Sequence, residues 1–264
     1  MKLEEIRRLK GVRKVTVLTA YDAQTAKIMD TAGIDMILVG DSLGMVVLGY
    51  KDTKQVTMED VIRHTEAVAR GAPSTHIIGD LPINSYDTVE DALRNARRLL
   101  EAGAHSVKLE GNKPEVVRAL VAEGIPVMGH LGLLPQTAEV MRVRGKKRSE
   151  AERILADAKE LEELGVFSVV LECIPLDLAK QVTEAIGVLT IGIGAGVHCD
   201  GQVLVVNDML GMDEGYSPKH SKTYVNLNDV IGEAVRGYID EVKAGKFPMD
   251  KHSFHGGAGV KRRT

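Results

Sequence analysis

Tryptophan is absent, phenylalanine occurs three times and cysteine twice in a chain of 264 residues. Cys173 and Cys199 cannot build a disulfide framework, and they read as two small apolar residues in reduced form. With so few large aromatics, aliphatic side chains must fill the core, as Val, Ile and Leu do in buried parallel strands. No run approaches the roughly 18 apolar residues of a membrane span. The opening MKLEEIRRLKG has no apolar stretch of the kind a secretory signal needs, and Glu4 and Glu5 do not suit an organelle transit peptide. The expected location is therefore the cytoplasm. Positive charge is not in excess either: the net charge is −3 and the pI about 6.3. That excludes the broad basic surface of a protein whose main partner is nucleic acid. No Pro/Ser-rich linker or composition break divides the chain, so residues 1–264 are expected to form one catalytic domain. Its Gly-rich basic end reads either as partly disordered, most so over 255–264, or as packed on a neighbouring subunit.

What is present is an alternation. Short β-rich runs lie at 15–20, 36–41, 76–80, 106–110, 126–130, 168–172, 188–194 and 202–208. Segments of helical periodicity lie between most of them, at 22–32, 58–70, 89–102, 114–123, 150–164, 177–186 and 228–244. Thr57, Thr88 and Ser149 read as helix N-caps, with Asp60 completing a weak capping box and Pro114 at a first-turn position. Glycines 33, 103, 124 and 165 end helices just before the next strand. Strand, crossover helix, strand is the parallel βαβ unit. Eight of them, at roughly 250 residues, predict an α/β fold of the (β/α)8 TIM-barrel type, with a doubly wound open sheet as the alternative. Two connections that follow strands, 42–57 and 131–148, are long, and such loops are where a barrel builds its active site.

Four of these runs end in acids: Asp41 on the second, Asp80 on the third, Glu110 on the fourth and Glu172 on the sixth. All four are expected at the carboxyl lip, and the first three come from adjacent strands about 4.8 Å apart. Like charges crowded there repel unless a cation joins them. Mg²⁺ fits, because it takes hard oxygen ligands and leaves places for water and substrate oxygens. A 2-oxo acid can supply two of those oxygens, and a metal beside a keto group favours enolate chemistry. The plainer alternative makes such acids N-caps of the following helices. Lys108 shares a strand face with Glu110 and reads as a substrate contact or an internal salt bridge. Ser42 reads as a carboxylate contact or a cap. His130 reads as a contact to the substrate or its neighbours, or as a structural hydrogen bonder. Glu172, further round the ring, suits a general acid/base, or a buried ion-pair partner. The basic run 142–148 is a solvated loop that can attract an anionic substrate tail. IGIGAG at 191–196 resembles an anion cradle but more simply permits close packing.

GDSLGMVVLG, GDLPINSY, VKLEG, PVMGHLGLLPQ and LECIP, within a match from residue 15 to 254, together resemble the 3-methyl-2-oxobutanoate (ketopantoate) hydroxymethyltransferase family. The resemblance implies a (β/α)8 barrel enzyme of pantothenate and coenzyme A biosynthesis. It implies transfer of the one-carbon unit of 5,10-methylenetetrahydrofolate to 3-methyl-2-oxobutanoate, giving 2-dehydropantoate. It implies Mg²⁺ on Asp41, Asp80 and Glu110, substrate contacts from Asp41, Ser42, Asp80 and Lys108, and Glu172 as the catalytic proton acceptor. It also implies a homo-oligomer, commonly a decamer. Lys54-Gln55 depart from the family's usual Leu-Pro, Arg144 from a common Gln, and the terminal HGGAGVKRRT is not a family hallmark. Two rivals follow from the residues: a phosphoenolpyruvate mutase or isocitrate lyase-like Mg²⁺ enzyme, and a non-catalytic ligand-binding barrel. Members of the first carry a Lys-x-Cys-Gly loop, and neither cysteine here lies in that context.

Overall fold

The computed structural model describes residues 2–212 and 218–255. A short helix α1 (Leu3–Arg7) precedes β1 (Val15–Thr19), α2 (Ala23–Ala32) and β2 (Met36–Val39). Then come α3 (Leu43–Val46), α4 (Met58–Gly71), β3 (His76–Asp80), α5 (Val89–Glu101), β4 (Ser106–Lys108) and α6 (Pro114–Ala122). The second half runs β5 (Val127–Gly132), α7 (Arg148–Glu163), β6 (Ser168–Glu172), α8 (Leu176–Ala185), β7 (Leu189–Ile193) and β8 (Gly201–Leu204). Helices α9 (Val206–Met209) and α10 (Leu227–Lys243) follow. The eight parallel strands pair in sequence order, and β8 returns to β1, closing a barrel. The expected (β/α)8 architecture is therefore the one observed, and the open sheet is not.

Strand alternation produces two apolar layers. Ile37, Val39, Ile77, Val107, Leu109, Val169 and Leu171 face outward onto Val61, Val68, Leu99, Leu120 and Leu161 of the helix ring. Met36, Leu38, Ile78, Met128, Val170, Leu189 and Ile191 face inward, and Ile6 of α1 packs against them. Each fully buried side chain of this size contributes roughly 1.5–3 kcal/mol. At the level of Met36, the His76 ring donates to or accepts from Ser106 Oγ at 2.9 Å and meets the Phe167 ring edge-on.

The capping expectations divide. Thr57 and Asp60 form the reciprocal box on α4, Thr88 caps α5, and Pro114 sits in the first turn of α6. Ser149 is not a cap: α7 begins a residue earlier, with Lys147 in the N-cap position and no side-chain cap. The eighth strand is shorter than expected. It pairs with β1 only through Leu204, after which the Val206 N–H donates to Thr19 Oγ1 at 3.0 Å and the chain turns into α9. Hydrophobic spacing in QVLVVND fits strand and helix alike, and the Thr19 hydroxyl decides between them. Among the described residues no helix is long and apolar enough to cross a membrane.

Candidate active site

The inward parity of β3, β5 and β6 is apolar at mid-barrel, that of β4 carries Ser106, and all four are polar at the carboxyl end. Ile78 is followed by Asp80, Ser106 by Lys108 and then Glu110, Met128 by His130, and Val170 by Glu172. The registers place Asp80 beside Lys108 and Gly132 beside Glu172. Asp41 and Ser42 lie just past β2. Asp41, Asp80, Lys108, Glu110 and His130 are all buried, while Ser42 and Glu172 are half-buried.

Lys108 Nζ donates to both Asp80 oxygens, at 2.7 and 2.8 Å. The internal salt bridge foreseen as one option for Lys108 is present. Asp80 Oδ2 also accepts the Asp41 N–H at 3.2 Å. Gln136, fully buried on the loop after β5, donates through Nε2 to Asp41 Oδ2 at 2.9 Å and to the Leu81 carbonyl at 3.0 Å. Its backbone N–H donates to Glu110 Oε2 at 3.1 Å, and its Oε1 accepts from the Tyr86 hydroxyl. His130 stands between two acids, Nδ1 3.5 Å from Glu110 Oε1 and Nε2 3.1 Å from Glu172 Oε2. Neither contact is aligned as a hydrogen bond, so both ring nitrogens are buried and unsatisfied. Ser42 Oγ meets Tyr21 Oη at 2.8 Å and caps nothing.

None of the strand-end carboxylates caps a helix. The side chains that cap α4 and α5 are Thr57 and Thr88, and α3 and α6 have no side-chain cap. The acids instead crowd one another. Burial, then the Asp80 charge, pushes the Asp41 carboxyl up to about 7. Burial, with Asp41 and Asp80 adding to it and Lys108 opposing, pushes Glu110 up to about 9. Burial works against the Lys108 ammonium, but Asp80, Asp41 and Glu110 outweigh it and raise its pKa. Burial lowers His130, which is thereby held neutral. One ammonium is too little cation for this many buried acids.

The donor chemistry therefore fits a hard divalent cation, all oxygen and no thiolate. It does not fit an ion chelated by protein alone, because among the described residues no three His, Cys, Asp or Glu side chains converge on one point. An ion that takes one or two carboxylates and keeps several waters, as Mg²⁺ does, suits this arrangement. One open cavity, about 570 Å³, lies away from these acids and is lined by Lys2, Glu5, Ser74, His76 and His105 at the amino end of the barrel.

Sequence reasoning missed Gln136, Tyr86 and Tyr21. Tyr86 and Gln136 close two of the motifs and Tyr21 lies just past β1, but none is acidic and none ends a strand. Gln136 reaches Asp41 across 95 positions of chain, and no local pattern reports such a contact. Within IGIGAG, a Cβ on Gly196 would lie 2.3 Å from Leu176 Cδ1, so close packing explains that glycine.

Fold and site define an acid-lipped (β/α)8 barrel enzyme. In fold it is similar to a putative lyase/mutase from Burkholderia cenocepacia, with a TM-score of 0.64 at 15% identity over 96% of this chain and 92% of that one. It is likewise similar to 2,3-dimethylmalate lyase of the PEP mutase/isocitrate lyase superfamily, with a TM-score of 0.60 at 17% identity over 96% and 91%. Sequence is more discriminating. The family model described as ketopantoate hydroxymethyltransferase matches residues 1–250. The chain is 55% identical to the 3-methyl-2-oxobutanoate hydroxymethyltransferase of Syntrophus aciditrophicus, over 91% of each chain. It is 53% identical to that of Thermoanaerobacter sp., over 92% of this chain and 91% of the relative. The chain belongs to the ketopantoate hydroxymethyltransferase family, and it is an enzyme of that transferase class.

Proposed function

We propose that this enzyme transfers the one-carbon unit of 5,10-methylenetetrahydrofolate to 3-methyl-2-oxobutanoate, giving 2-dehydropantoate for pantothenate and coenzyme A synthesis. The observation that carries this reading is the buried cluster of Asp41, Asp80, Lys108 and Glu110 at the carboxyl lip of a chain of this family. Asp41, Asp80 and Glu110 would hold Mg²⁺, one or two of them directly and the rest through its waters. When bound, the ion supplies a Lewis acid for the keto oxygen.

The protein's own groups supply the rest. Ser42, oriented by the Tyr21 hydroxyl, and the backbone beside Asp41 receive the substrate carboxylate. Lys108 places its positive charge next to the keto group while it neutralises Asp80. Glu172, half-buried and so open to substrate, accepts the proton from C3. His130, neutral and with unsatisfied nitrogens, lies against Glu172 and contacts the substrate. The methylene carbon of the donor exchanges both of its C–N bonds, to N5 and N10, for a C–C bond to C3 and a C–O bond to water, and the two nitrogens take up the proton from C3 and one from water. The net reaction consumes one water and releases tetrahydrofolate.

We further propose one catalytic domain, cytoplasmic in location and assembled as a homo-oligomer. Helix α10 supports the last point. It buries no side chain, and Ile231, Val235, Tyr238, Ile239 and Val242 form an exposed apolar stripe at helical spacing.

The test is turnover of 3-methyl-2-oxobutanoate, methylenetetrahydrofolate and Mg²⁺. Appearance of 2-dehydropantoate is expected, and folded protein that makes none sinks the reading. Cleavage of the 2-oxo acid without a folate would instead favour the lyase-like rival. Asp80→Ala should abolish metal-dependent proton exchange at C3, and unchanged exchange would remove Asp80 from the site.

A further inference from the structure

The loop between β5 and α7 carries charge that the steps above do not use. From residue 138 to 147 it has four cations, Arg142, Arg144, Lys146 and Lys147, against one acid, Glu139, and Arg148 opens α7. Arg142 is paired with Glu150 at 2.6 Å and Arg148 with Glu152 at 2.7 Å. Among the described residues, Arg144, Lys146 and Lys147 have no carboxylate within 4 Å, and both lysines are exposed.

The backbone at Arg144 and Gly145 is held in place. The Arg144 N–H donates to the Cys173 carbonyl at 2.9 Å, so Arg144 is anchored to the residue that follows Glu172. Cys173 itself sits in the left-handed region at φ 48°, with its own N–H on the Ile193 carbonyl at 2.8 Å. Gly145 is buried at φ +77°, where a Cβ would meet Leu178 Cδ2 at 2.4 Å, and its N–H donates to Glu150 Oε2 at 3.1 Å. Just before Arg144, the side chains of Val140, Met141 and Val143 are exposed. Leading away from Glu172, the loop thus presents apolar surface and unpaired cations side by side. A folate has the complementary form: a flat aromatic body at the reacting end and carboxylates at the other.

We propose that Arg144, Lys146 and Lys147 bind the γ-linked glutamate carboxylates of the folate donor, so that the enzyme prefers a polyglutamylated donor. This rests on the reading that the donor is a folate. Three cations match a tail of several carboxylates better than a single glutamate. Because the lysines are exposed, the attraction weakens with salt.

The experiment compares KM for methylenetetrahydrofolate carrying one and three glutamates. For the wild-type enzyme the triglutamate KM is expected to be lower by about tenfold, the equivalent of 1.4 kcal/mol, and the advantage should shrink several-fold between 50 and 500 mM salt. The R144Q/K146Q/K147Q variant should lose the advantage with kcat within about twofold, and R144K/K146R/K147R should keep it. Equal KM values in the wild type, or an advantage that survives in the glutamine variant, overturn the proposal while leaving the donor assignment intact. No product with any folate, while C3 proton exchange continues, removes the donor assignment and this proposal with it. A glutamine variant that sediments as a different assembly would make the loop a subunit contact and also overturn it.

Discussion

Gln136 shows how much of the site hangs on one neutral side chain. Its amide N–H₂ spans Asp41 and the Leu81 carbonyl, and its amide oxygen accepts from Tyr86. Gln136→Ala strands these buried groups together, each worth about 1–3 kcal/mol when left unpaired. The variant is expected to be less stable than the wild type by at least about 1–3 kcal/mol and to bind Mg²⁺ about 10–100-fold more weakly, the usual effect of losing a group that orients a ligand. Unchanged melting and metal titration would make Gln136 a filler. His76 carries a pH signature. Burial, then the neighbouring His105, pushes it from 6.5 down to about 3. The folded state therefore refuses a proton that the unfolded chain accepts below pH 6.5. Its contribution is complete above pH 6.5 and is lost as pH falls towards 3, about 2 kcal/mol by pH 5. Denaturant melts at pH 7.5 and 5 should show the wild type losing more stability than His76→Gln. Equal losses would mean that the ring takes up its proton in the native state.

Between residue and fold stand the helix ends. Capping boxes are local chemistry, and Thr57 with Asp60 was legible from spacing alone. Ser149 carried the same kind of signal and misled, because Lys147 occupies the N-cap position and the α7 N-terminus lies in a loop shaped by Gly145 and Glu150. The two residues should separate by stability. Thr57→Ala is expected to cost about 1 kcal/mol, whereas Ser149→Ala should stay within about 0.5 kcal/mol. Similar losses at both would restore Ser149 as a cap. The end of the eighth strand is the same lesson: Val205-Val206 has strand composition, but a hydroxyl from β1 starts a helix there.

At the scale of the molecule, α10 is the element the barrel leaves uncovered. A 17-residue helix with no buried side chain and an apolar stripe gains little from folding against its own chain. Association would cover it. Ile231→Glu with Ile239→Glu is expected to shift the protein to a smaller species in sedimentation, without disturbing the barrel's circular dichroism. A wild-type protein that sediments as a monomer would sink the expectation of an oligomer.

Eight strand runs, the helices between them and the acids at four strand ends were all readable in one dimension. Each depends on alternation, helical spacing or turn chemistry within a few residues. The (β/α)8 class follows from counting such units, and the motifs that match the ketopantoate hydroxymethyltransferase family are likewise contiguous. Other features were settled only in three dimensions. Lys108 is spoken for by Asp80 because register sets the two on adjacent strands. His130 rests between Glu110 and Glu172 because β5 lies between the strands that carry them. Gln136 and Tyr86 join the site because loops 50 positions apart fold over the same barrel mouth. The acids were visible in the sequence because a strand end is local. Their partners were not, because closing a barrel brings together residues that no sequence period relates.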